Sequence, residues 1–391
     1  MRRLPPVAAV IAACLLAPAP AVALDDGLAR TPPMGWNGWY AHGCGTTERT
    51  VRASADALVR TGLRDAGYRY VSLDDCWMAR TRGRDGELRP DRARFPSGIP
   101  ALAARLHRRG LKLGIYLSAG PMTCARRPGS AGYLERDART VAAWGADLVK
   151  LDWCFAPAQF DPAAVYGQMR DALRATGRPV LLSISEWGEG RPWRWGPGTG
   201  HMWRTAHDTP RLAPRDRWRA VMRVVAHTAE LGAHAGPGAW NDPDILQVGL
   251  GRLTATEGRT IFSLWAMLAA PLIAGNDLGR MDRATLRTLG NRAVIAVDQD
   301  PAGRPGVRIS SRRGHDVWLR DLAGGHRVLL LVNRTARPVR FRADARLVFG
   351  VAAGRWRVRD LWTGRARQTS GRFAARVAPH GAAMLRLRRL R

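Results

Sequence analysis

Short apolar runs alternate with longer amphipathic stretches between residues 33 and 277. The short runs are typical of strands, and the longer stretches, such as 50–67 and 135–146, carry apolar residues at helical spacing. Eight such β–α units in about 250 residues predict an α/β fold, a (β/α)8 TIM barrel. A doubly wound sheet is the alternative, although no glycine-rich dinucleotide turn follows the first strand. The predicted strands cover residues 34–36, 68–74, 111–117, 147–152, 179–185, 202–206, 238–241 and 271–274.

The pattern changes after the segment DQDPAG at residues 298–303. Six short runs follow, separated by turn residues: DVWLRDL, HRVLLLVNR, RPVRFRA, WRVRDLW, RFAARV and AAMLRLR. Runs of this kind predict an antiparallel β-sandwich domain. The predicted organisation is a signal peptide over residues 1–23, a barrel over 24–300 and a C-terminal β-sandwich over 301–391.

The first 23 residues have the three parts of a secretory signal: two arginines, an apolar run and the small-residue cleavage site AVA at 21–23. Cleavage after Ala23 predicts a secreted, extracellular protein. Cys14 lies in a segment that weakly resembles a lipoprotein signal, but the residues after it are apolar rather than a polar tether. No later run approaches the ~20 apolar residues of a membrane span, so we expect none.

Four cysteines remain after removal of the signal: Cys44, Cys76, Cys124 and Cys154. An even number in an exported chain predicts two disulfides, and the sequence alone leaves three pairings open. A zinc site is the alternative, but no CxxC or HxxxH spacing supports it. The sequence therefore predicts no metal and no cofactor.

The formal net charge is +30, and 60 of the 62 basic residues are arginine. Residues 301–391 alone carry 22 Arg against four Asp and no Glu. Such a charge is found in nucleic-acid-binding proteins, but these basic residues are scattered and form no Lys/Arg-rich block, so we expect no nucleic-acid partner. A general bias toward Arg is the preferred explanation. A polyanion-binding face, detectable as salt-dependent retention on heparin, is the alternative.

Polar and aromatic residues gather where the predicted strands end, which is where barrels of this kind carry their chemistry. Carboxylates bind hydroxyls and perform acid/base work, and indoles stack on sugar C–H faces, so this set predicts a sugar site. A single Asp after a strand is most often the N-cap of the next helix, and this alternative stays open for Asp242 and Asp244. Trp203 and Trp240 could belong to the core. The segments are DDCW (74–77), KLDWC (150–154), SEW (185–187), WRTAHD (203–208) and WNDPD (240–244).

Lys150 is one of only two lysines in the chain, and it precedes Asp152 by two residues. Side chains alternate along a strand, so the two residues share one face. If that face is the barrel interior, the ammonium needs acidic neighbours, which Asp152 and the pair Asp74 and Asp75 can supply. A compact point charge leaves room for a sugar, whereas a forked guanidinium would occupy it. The other lysine, Lys112, opens a strand at the opposite end.

Eight segments, in order, resemble the successive motifs of glycoside hydrolase family 27, which contains the α-galactosidases and α-N-acetylgalactosaminidases. They are GWNGW (35–39), DDCW (74–77), LKLGIY (111–116), TCARRPGSAGY (123–133), KLDWC (150–154), SEWG (185–188), WRTAHD (203–208) and GPGAWNDPDIL (236–246). The resemblance runs from about residue 32 to residue 300. The rest of the chain, from DVWLRDLAGG onward, resembles the C-terminal β-domain of that family.

The resemblance implies a role for each matching position. Asp152 matches the nucleophile, and Asp208 matches the general acid/base. Asp74 and Asp75 match the aspartates that hold the O4 and O6 hydroxyls of the sugar. The other matching positions are Lys150 and Arg204 as donors to O3 and O2, Trp36 as the aromatic platform, and Tyr116 and Glu186 as substrate contacts. The resemblance also implies the disulfides Cys44–Cys76 and Cys124–Cys154.

These roles imply a retaining exo-α-galactosidase whose two carboxyl groups lie roughly 5–5.5 Å apart. Lys150 should keep Asp152 ionised, and the pKa of Asp208 should be raised so that it holds a proton. The chain departs from the family pattern at Ser118, Trp153, Ser185 and Ile245. The expected partner is a galactoside oligosaccharide or polysaccharide. The alternatives are a β-L-arabinopyranosidase or isomalto-dextranase activity of the same family, or a non-catalytic carbohydrate-binding protein.

Overall fold

The computed structural model describes residues 23–213, 216–351 and 354–390. The predicted signal peptide, except for its last residue, lies outside the described residues. None of the described helices combines the length and the apolar character that crossing a membrane requires.

Eight parallel strands form one curled sheet in chain order, and β8 pairs with β1. The sheet closes on its last side through Leu246, whose N–H donates to Ile273 O at 2.8 Å and which bridges Ala274. The predicted barrel is confirmed, and the doubly wound alternative is wrong because the strands neighbour one another in chain order and the last, β8, pairs with the first, β1. The strands are β1 Met34–Asn37, β2 Tyr70–Leu73, β3 Lys112–Ser118, β4 Ala146–Asp152, β5 Leu181–Ser185, β6 Met202–Arg204, β7 Trp240–Asp242 and β8 Leu272–Ala274.

The helices that surround the barrel bury one apolar face each. The predicted helical stretch 50–67 is two helices, because Gly62 between them adopts a left-handed conformation with φ 74°. The α-helices are α1 Trp39–His42, α2 Glu48–Arg60, α3 Leu63–Ala66, α4 Ile99–Arg108, α5 Leu134–Ala143, α6 Pro162–Ala175, α7 Thr209–Leu212, α8 Arg217–Thr228, α9 Ala255–Leu268, α10 Arg283–Leu289, α11 Arg292–Asp298 and α12 Ala345–Phe349. Short 3-10 helices cover Gly43–Gly45, Ala229–His234, Leu278–Arg280 and Ala323–Gly325.

The C-terminal region is a sandwich of a six-stranded antiparallel sheet, ordered β14-β13-β16-β11-β10-β9, and the two-stranded ribbon β12-β15. In strand β11, Arg327–Asn333, alternate residues belong to two different hydrophobic cores: Leu329 and Leu331 pack toward the ribbon, and Val328 and Leu330 pack toward the barrel. The strands are β9 Val307–Arg312, β10 His315–Asp321, β11 Arg327–Asn333, β12 Val339–Asp344, β13 Trp356–Asp360, β14 Ala366–Thr369, β15 Arg372–Val377 and β16 Ala382–Arg389.

Helix α9 lies between the barrel and the sandwich, and nearly all of its residues are buried. A capping box fixes its first turn, since Thr254 and Glu257 each accept a hydrogen bond from the backbone N–H of the other. Arg320 of the sandwich, 1% exposed, donates to the carbonyl oxygens of Ala266 and Asp298. Because its charge is buried between the two units, Arg320 ties the sandwich to the barrel.

Candidate active site

A cavity of about 90 Å³ opens at the C-terminal ends of the barrel strands. Seven of the nine predicted site residues line it: Asp74, Asp75, Tyr116, Lys150, Asp152, Arg204 and Asp208. They come from strands 2, 3, 4 and 6 and from the turns that follow them. The structure therefore brings these seven residues together at the predicted end of the barrel.

Lys150 and Asp74 form the ionic contact that the sequence predicts. The Lys150 Nζ lies 2.9 Å from Asp74 Oδ2, and their side chains are 20% and 6% exposed. Asn37 donates to the same oxygen at 2.6 Å. Burial alone would lower the pKa of Lys150, but the charges of Asp74, Asp152 and Asp208 outweigh it and raise that pKa. The amine therefore stays protonated within the cavity.

Asp152, the last residue of β4, is 5% exposed. Its Oδ1 accepts hydrogen bonds from the Ser185 hydroxyl at 3.2 Å and from the Trp153 N–H at 3.1 Å. Burial raises the pKa of Asp152 to about 6, with Lys150 acting against this rise and Asp74 and Asp208 adding to it. Lys150 thus favours the ionised carboxylate, as the sequence predicts, but burial is the larger effect. At pH 7 most of the population is still ionised.

Asp208 lies across the cavity at the start of α7, but its side chain makes no capping hydrogen bond to that helix. Its Oδ1 accepts instead from the Arg204 guanidinium at 2.9 Å. The Arg204 side chain is 5% exposed, whereas that of Asp208 is 35% exposed. Asp208 is therefore positioned by a buried cation while its carboxyl group remains accessible.

The sequence left the role of Asp244 open, and the N-cap alternative is wrong. Its Oδ2 accepts from the Tyr40 hydroxyl at 2.6 Å and from both the N–H and the hydroxyl of Thr209 at 2.7 Å. Its Oδ1 lies 3.4 Å from Arg204. Asp244 thus holds Arg204 and the first residue of α7, next to Asp208. Sequence analysis missed Tyr40, although it lies only one residue beyond the GWNGW motif.

Asp75 and Tyr116 complete the acidic side of the cavity. The Asp75 carboxylate accepts from the N–H groups of Cys76 at 2.6 Å and Ala125 at 2.8 Å, and burial raises its pKa. The Tyr116 hydroxyl is buried and has no hydrogen-bond partner among the described residues. Burial, together with the charges of Asp152 and Asp75, raises the pKa of Tyr116, so the hydroxyl keeps its proton. It is a donor within the cavity, next to Asp152.

Trp36 and Glu186 are not among the residues that line the cavity. Trp36 has no exposed surface, and its indole N–H donates to Asn276 O at 2.9 Å. Glu186 is 1% exposed and accepts the N–H groups of Gly188 and Gly190 at 3.1 and 2.5 Å. Burial raises the pKa of Glu186 to about 7. Trp203 and Trp240, left open from sequence, are fully buried core residues.

Two disulfides, Cys44–Cys76 and Cys124–Cys154, tie the loops at this end of the barrel, with Cα–Cα distances of 5.2 and 5.1 Å. They are the pairings that the family resemblance implies. Cys124 Sγ lies 3.5 Å from Asp152 Oδ2. This is the cluster that most resembles a metal site among the described residues, but its two cysteines are joined to each other and cannot act as thiolate ligands.

Backbone strain is concentrated at the same end of the barrel. Cys76, Phe155, Trp187 and Asp244 all have positive φ, at 71°, 54°, 61° and 144°. Each lies within three residues of the end of β2, β4, β5 or β7. Residues other than glycine rarely adopt this conformation unless the surrounding structure imposes it. The four turns are therefore held in defined shapes around the cavity.

Comparisons with known proteins agree with this arrangement. A family model described as alpha galactosidase A matches residues 31–300, and one described as the alpha galactosidase C-terminal beta sandwich domain matches residues 312–387. Alpha-galactosidase A of Cellvibrio japonicus is 40% identical over 92% of each chain. The crystal structure of alpha-galactosidase I from Mortierella vinacea is 34% identical, with a TM-score of 0.89 over 93% of this chain and 98% of its own.

A second solved structure is the Saccharomyces cerevisiae alpha-galactosidase with raffinose. It is 30% identical, with a TM-score of 0.85 over 93% of this chain and 99% of its own. Both units of the chain are thus matched, in order and almost from end to end. The chain belongs to the α-galactosidase (melibiase) family, glycoside hydrolase family 27.

Proposed function

We propose that this chain hydrolyses terminal α-D-galactosyl residues with retention of configuration, by double displacement. Asp152 attacks the anomeric carbon and forms a covalent glycosyl-enzyme, while Asp208 gives its proton to the leaving oxygen. Asp208 then takes a proton from water, which attacks the same carbon and releases galactose. The chain is a glycoside hydrolase, and its relatives of about 40% identity are α-galactosidases.

One observation carries the assignment of roles: Asp152 and Asp208 line the same cavity with different surroundings. Asp152 is almost fully buried and is hydrogen-bonded at Oδ1, with Lys150 favouring its charge. Asp208 is about one-third exposed, so it has access to a leaving group and to water. Lys150 favours the ionised Asp152 that a nucleophile requires, against the effect of burial, and the exposure of Asp208 allows it to exchange a proton with solvent.

The remaining lining residues supply contacts for a hydroxyl-rich sugar. Lys150 and Arg204 are donors fixed by Asp74 and by Asp208 with Asp244. The Tyr116 hydroxyl is a further donor that lines the cavity. Because these groups are held by one another before substrate arrives, little ordering is required on binding. The carboxylates of Asp74 and Asp75 accept from sugar hydroxyls.

Proton NMR of the hydrolysis of nitrophenyl α-galactoside tests the proposal directly. The first product formed should be α-galactose, and β-galactose as the first product would refute double displacement. Asp152→Asn should abolish turnover. Asp208→Asn should slow substrates with poor leaving groups far more than activated aryl galactosides. Asp171→Asn, a change at a side chain that is 62% exposed, is the control and should leave the rate unchanged.

A panel of nitrophenyl glycosides tests the choice of sugar. We expect the α-galactoside to be hydrolysed faster than the β-L-arabinopyranoside and the α-N-acetylgalactosaminide. Faster hydrolysis of the arabinopyranoside would assign the chain to that activity instead. Sugar binding without turnover of any member of the panel would support a non-catalytic binding protein.

We propose further that the chain is exported after cleavage behind Ala23. The tripartite pattern of residues 1–23 supports this proposal, as do the two disulfides, which persist in oxidising compartments. N-terminal sequencing of the protein from the culture medium of an expressing bacterium should return Leu24 as the first residue. Retention of the full chain inside the cell would contradict the proposal.

A further inference from the structure

One face of the six-stranded sheet carries arginines in register on neighbouring strands. Arg357 of β13 lies directly opposite Arg388 of β16, and Arg359 lies directly opposite Arg386. Side chains alternate between the two faces along a strand, so all four point to the same side. Opposed residues of an antiparallel pair have Cβ atoms about 4.5–5.5 Å apart. These four residues therefore form a compact group, which we name the arginine quartet.

The neighbouring strands add no carboxylate to this face. Beside Arg357 and Arg359, β14 places Gln368 and Ala366. On the other side, β11 places Val328 beside Arg386. Among the described residues, no salt bridge involves a member of the arginine quartet. Arg357, Arg359 and Arg388 are exposed, and Arg386 is half-buried.

Two nitrogen atoms at the arginine quartet lack a partner. Arg386 Nε and Nδ1 of His326, which immediately precedes β11, are buried and have no hydrogen-bond partner among the described residues. Arg327 pairs with Leu387, so His326 lies at the end of β11 next to Arg388. Burial lowers the pKa of His326, and the charges of Arg386 and Arg388 lower it further. The nearby Asp300 is already engaged, because it accepts the backbone N–H groups of Ala302 and Ala323.

This arrangement is unfavourable in the protein alone. Like charges directly opposite each other destabilise a sheet, and the buried Arg386 Nε, a donor without an acceptor, adds to the cost. A bound anion would relieve both. Arginine suits the task, since its planar fork can hold a carboxylate or sulfate through two hydrogen bonds.

A general bias toward Arg does not explain the charge of this domain. Exchanging Lys for Arg leaves the net charge unchanged, so the bias accounts only for the kind of cation. The surplus is concentrated in this domain and has two sources, more arginine and fewer acids: residues 301–391 hold 22 Arg and four Asp, whereas the roughly three times longer segment 24–300 holds 38 Arg and Lys and 28 Asp and Glu. The explanation preferred from sequence alone is therefore insufficient, and the alternative of a polyanion-binding face gains support.

We propose that the arginine quartet is a binding surface for an acidic polysaccharide that carries carboxylate or sulfate groups. Three of the four side chains, those of Arg357, Arg359 and Arg388, are exposed and therefore accessible to an extended polymer. The paired positions on β11, β13, β14 and β16 at this face include no Phe, Tyr or Trp on which bases could stack, unlike surfaces that bind single-stranded nucleic acid. If the barrel has its proposed function, a polymer that also carries galactosyl groups would hold them on the same molecule as the cavity and so raise their effective concentration.

Binding of polygalacturonate by calorimetry, at about 0.05 M salt where screening is weak, tests the proposal. The test variant is Arg357→Gln/Arg388→Gln, an exposed opposed pair. The control is Arg340→Gln/Arg376→Gln, an exposed opposed pair on β12 and β15 with the same loss of charge. The test variant should bind roughly tenfold more weakly, since two charge contacts are lost. The control should stay within about twofold of the unmodified chain.

Both variants should hydrolyse nitrophenyl α-galactoside at the normal rate, which shows that they are folded and separates this proposal from that of the catalytic site. Tighter binding of polygalacturonate than of dextran sulfate would assign the carboxylate, and the reverse order would assign the sulfate; both support the proposal. Equal weakening of the two variants would overturn it, since net charge alone would then explain binding. Tighter binding of duplex DNA, lost in the test variant, would also overturn it.

Discussion

Glu186 provides a specific test of how burial affects stability and activity, because the family resemblance assigns it to the substrate and the structure buries it away from the cavity. The family resemblance implies a contact with substrate, whereas in the structure the carboxylate is buried and accepts the N–H groups of Gly188 and Gly190. Its pKa is raised from 4.5 to about 7, chiefly by burial, with the charge of Glu189 adding to the rise. The ionised form is therefore disfavoured in the folded chain.

We predict that Glu186→Gln stabilises the protein at neutral and alkaline pH and leaves it unchanged in acid. A folded-state pKa above the unfolded value favours folding while the group is protonated, and this contribution is lost as pH rises from 4.5 to about 7. At 1.36 kcal/mol for each pKa unit, the loss amounts to about 3 kcal/mol at most. Glutamine resembles the protonated form at every pH, so the variant avoids the loss.

The measurement is the free energy of unfolding in urea at pH 4.5, 6 and 8 for both proteins. The gain should grow with pH and approach about 3 kcal/mol at pH 8. Glu189→Gln is the control, because its side chain is 59% exposed and it should change stability little. The kcat/KM of Glu186→Gln should stay near normal. A gain that does not vary with pH would refute the reasoning about burial, and a kcat/KM lowered a hundredfold would show that Glu186 contacts substrate.

Three further predictions concern the cavity and the domain junction. Below pH 6 the kcat/KM should fall tenfold for each pH unit, because Asp152 becomes protonated. A fall in kcat/KM that begins only near pH 4 would show that burial raises the pKa of Asp152 less than we infer. Asp244→Asn should lower kcat/KM on aryl galactosides at least tenfold while changing the melting temperature little, because Arg204, which holds Asp208, loses one of its two carboxylate partners. A kcat/KM equal to that of the unmodified chain would show that Asp244 has no positioning role. Arg320→Met should lower the free energy of unfolding in urea by about 1–3 kcal/mol, because the buried carbonyl oxygens of Ala266 and Asp298 lose their donor; an unchanged free energy of unfolding would show that Arg320 does not stabilise the junction.

The sequence predicted the barrel well because its strands are continuous apolar runs set at regular intervals, with side-chain chemistry at one end of each. It could not show that β6, β7 and β8 shorten to three residues each, or that Leu246 completes the sheet. These features depend on how the last turns pack. The break at Gly62 was equally hidden, since the helical periodicity continues across it.

In the candidate site, too, some features could be predicted from the sequence and others could not. Residues whose chemistry follows from strand alternation, such as Lys150 and Asp152, lie where the sequence predicts. Asp244 could not be distinguished from a helix cap, because its partners Tyr40 and Thr209 are distant in sequence and meet it only in the fold. The disulfide pairing came from family resemblance alone. A motif fixes the position of a residue in the chain, but the direction of its side chain, as at Trp36, depends on neighbours that the motif does not contain.

The balance of charge in the cavity explains why one lysine remains among so many arginines. Six aspartates line the cavity with two cations, Lys150 and Arg204. Burial raises the pKa of both Asp152 and Asp242 to about 6 and so favours their neutral forms. Arg204 is held between Asp208 and Asp244, so its fork is engaged at one side of the cavity. The opposite side needs a charge that Asp74 can hold at a single point while the space beside it stays open, and an ammonium group meets that requirement.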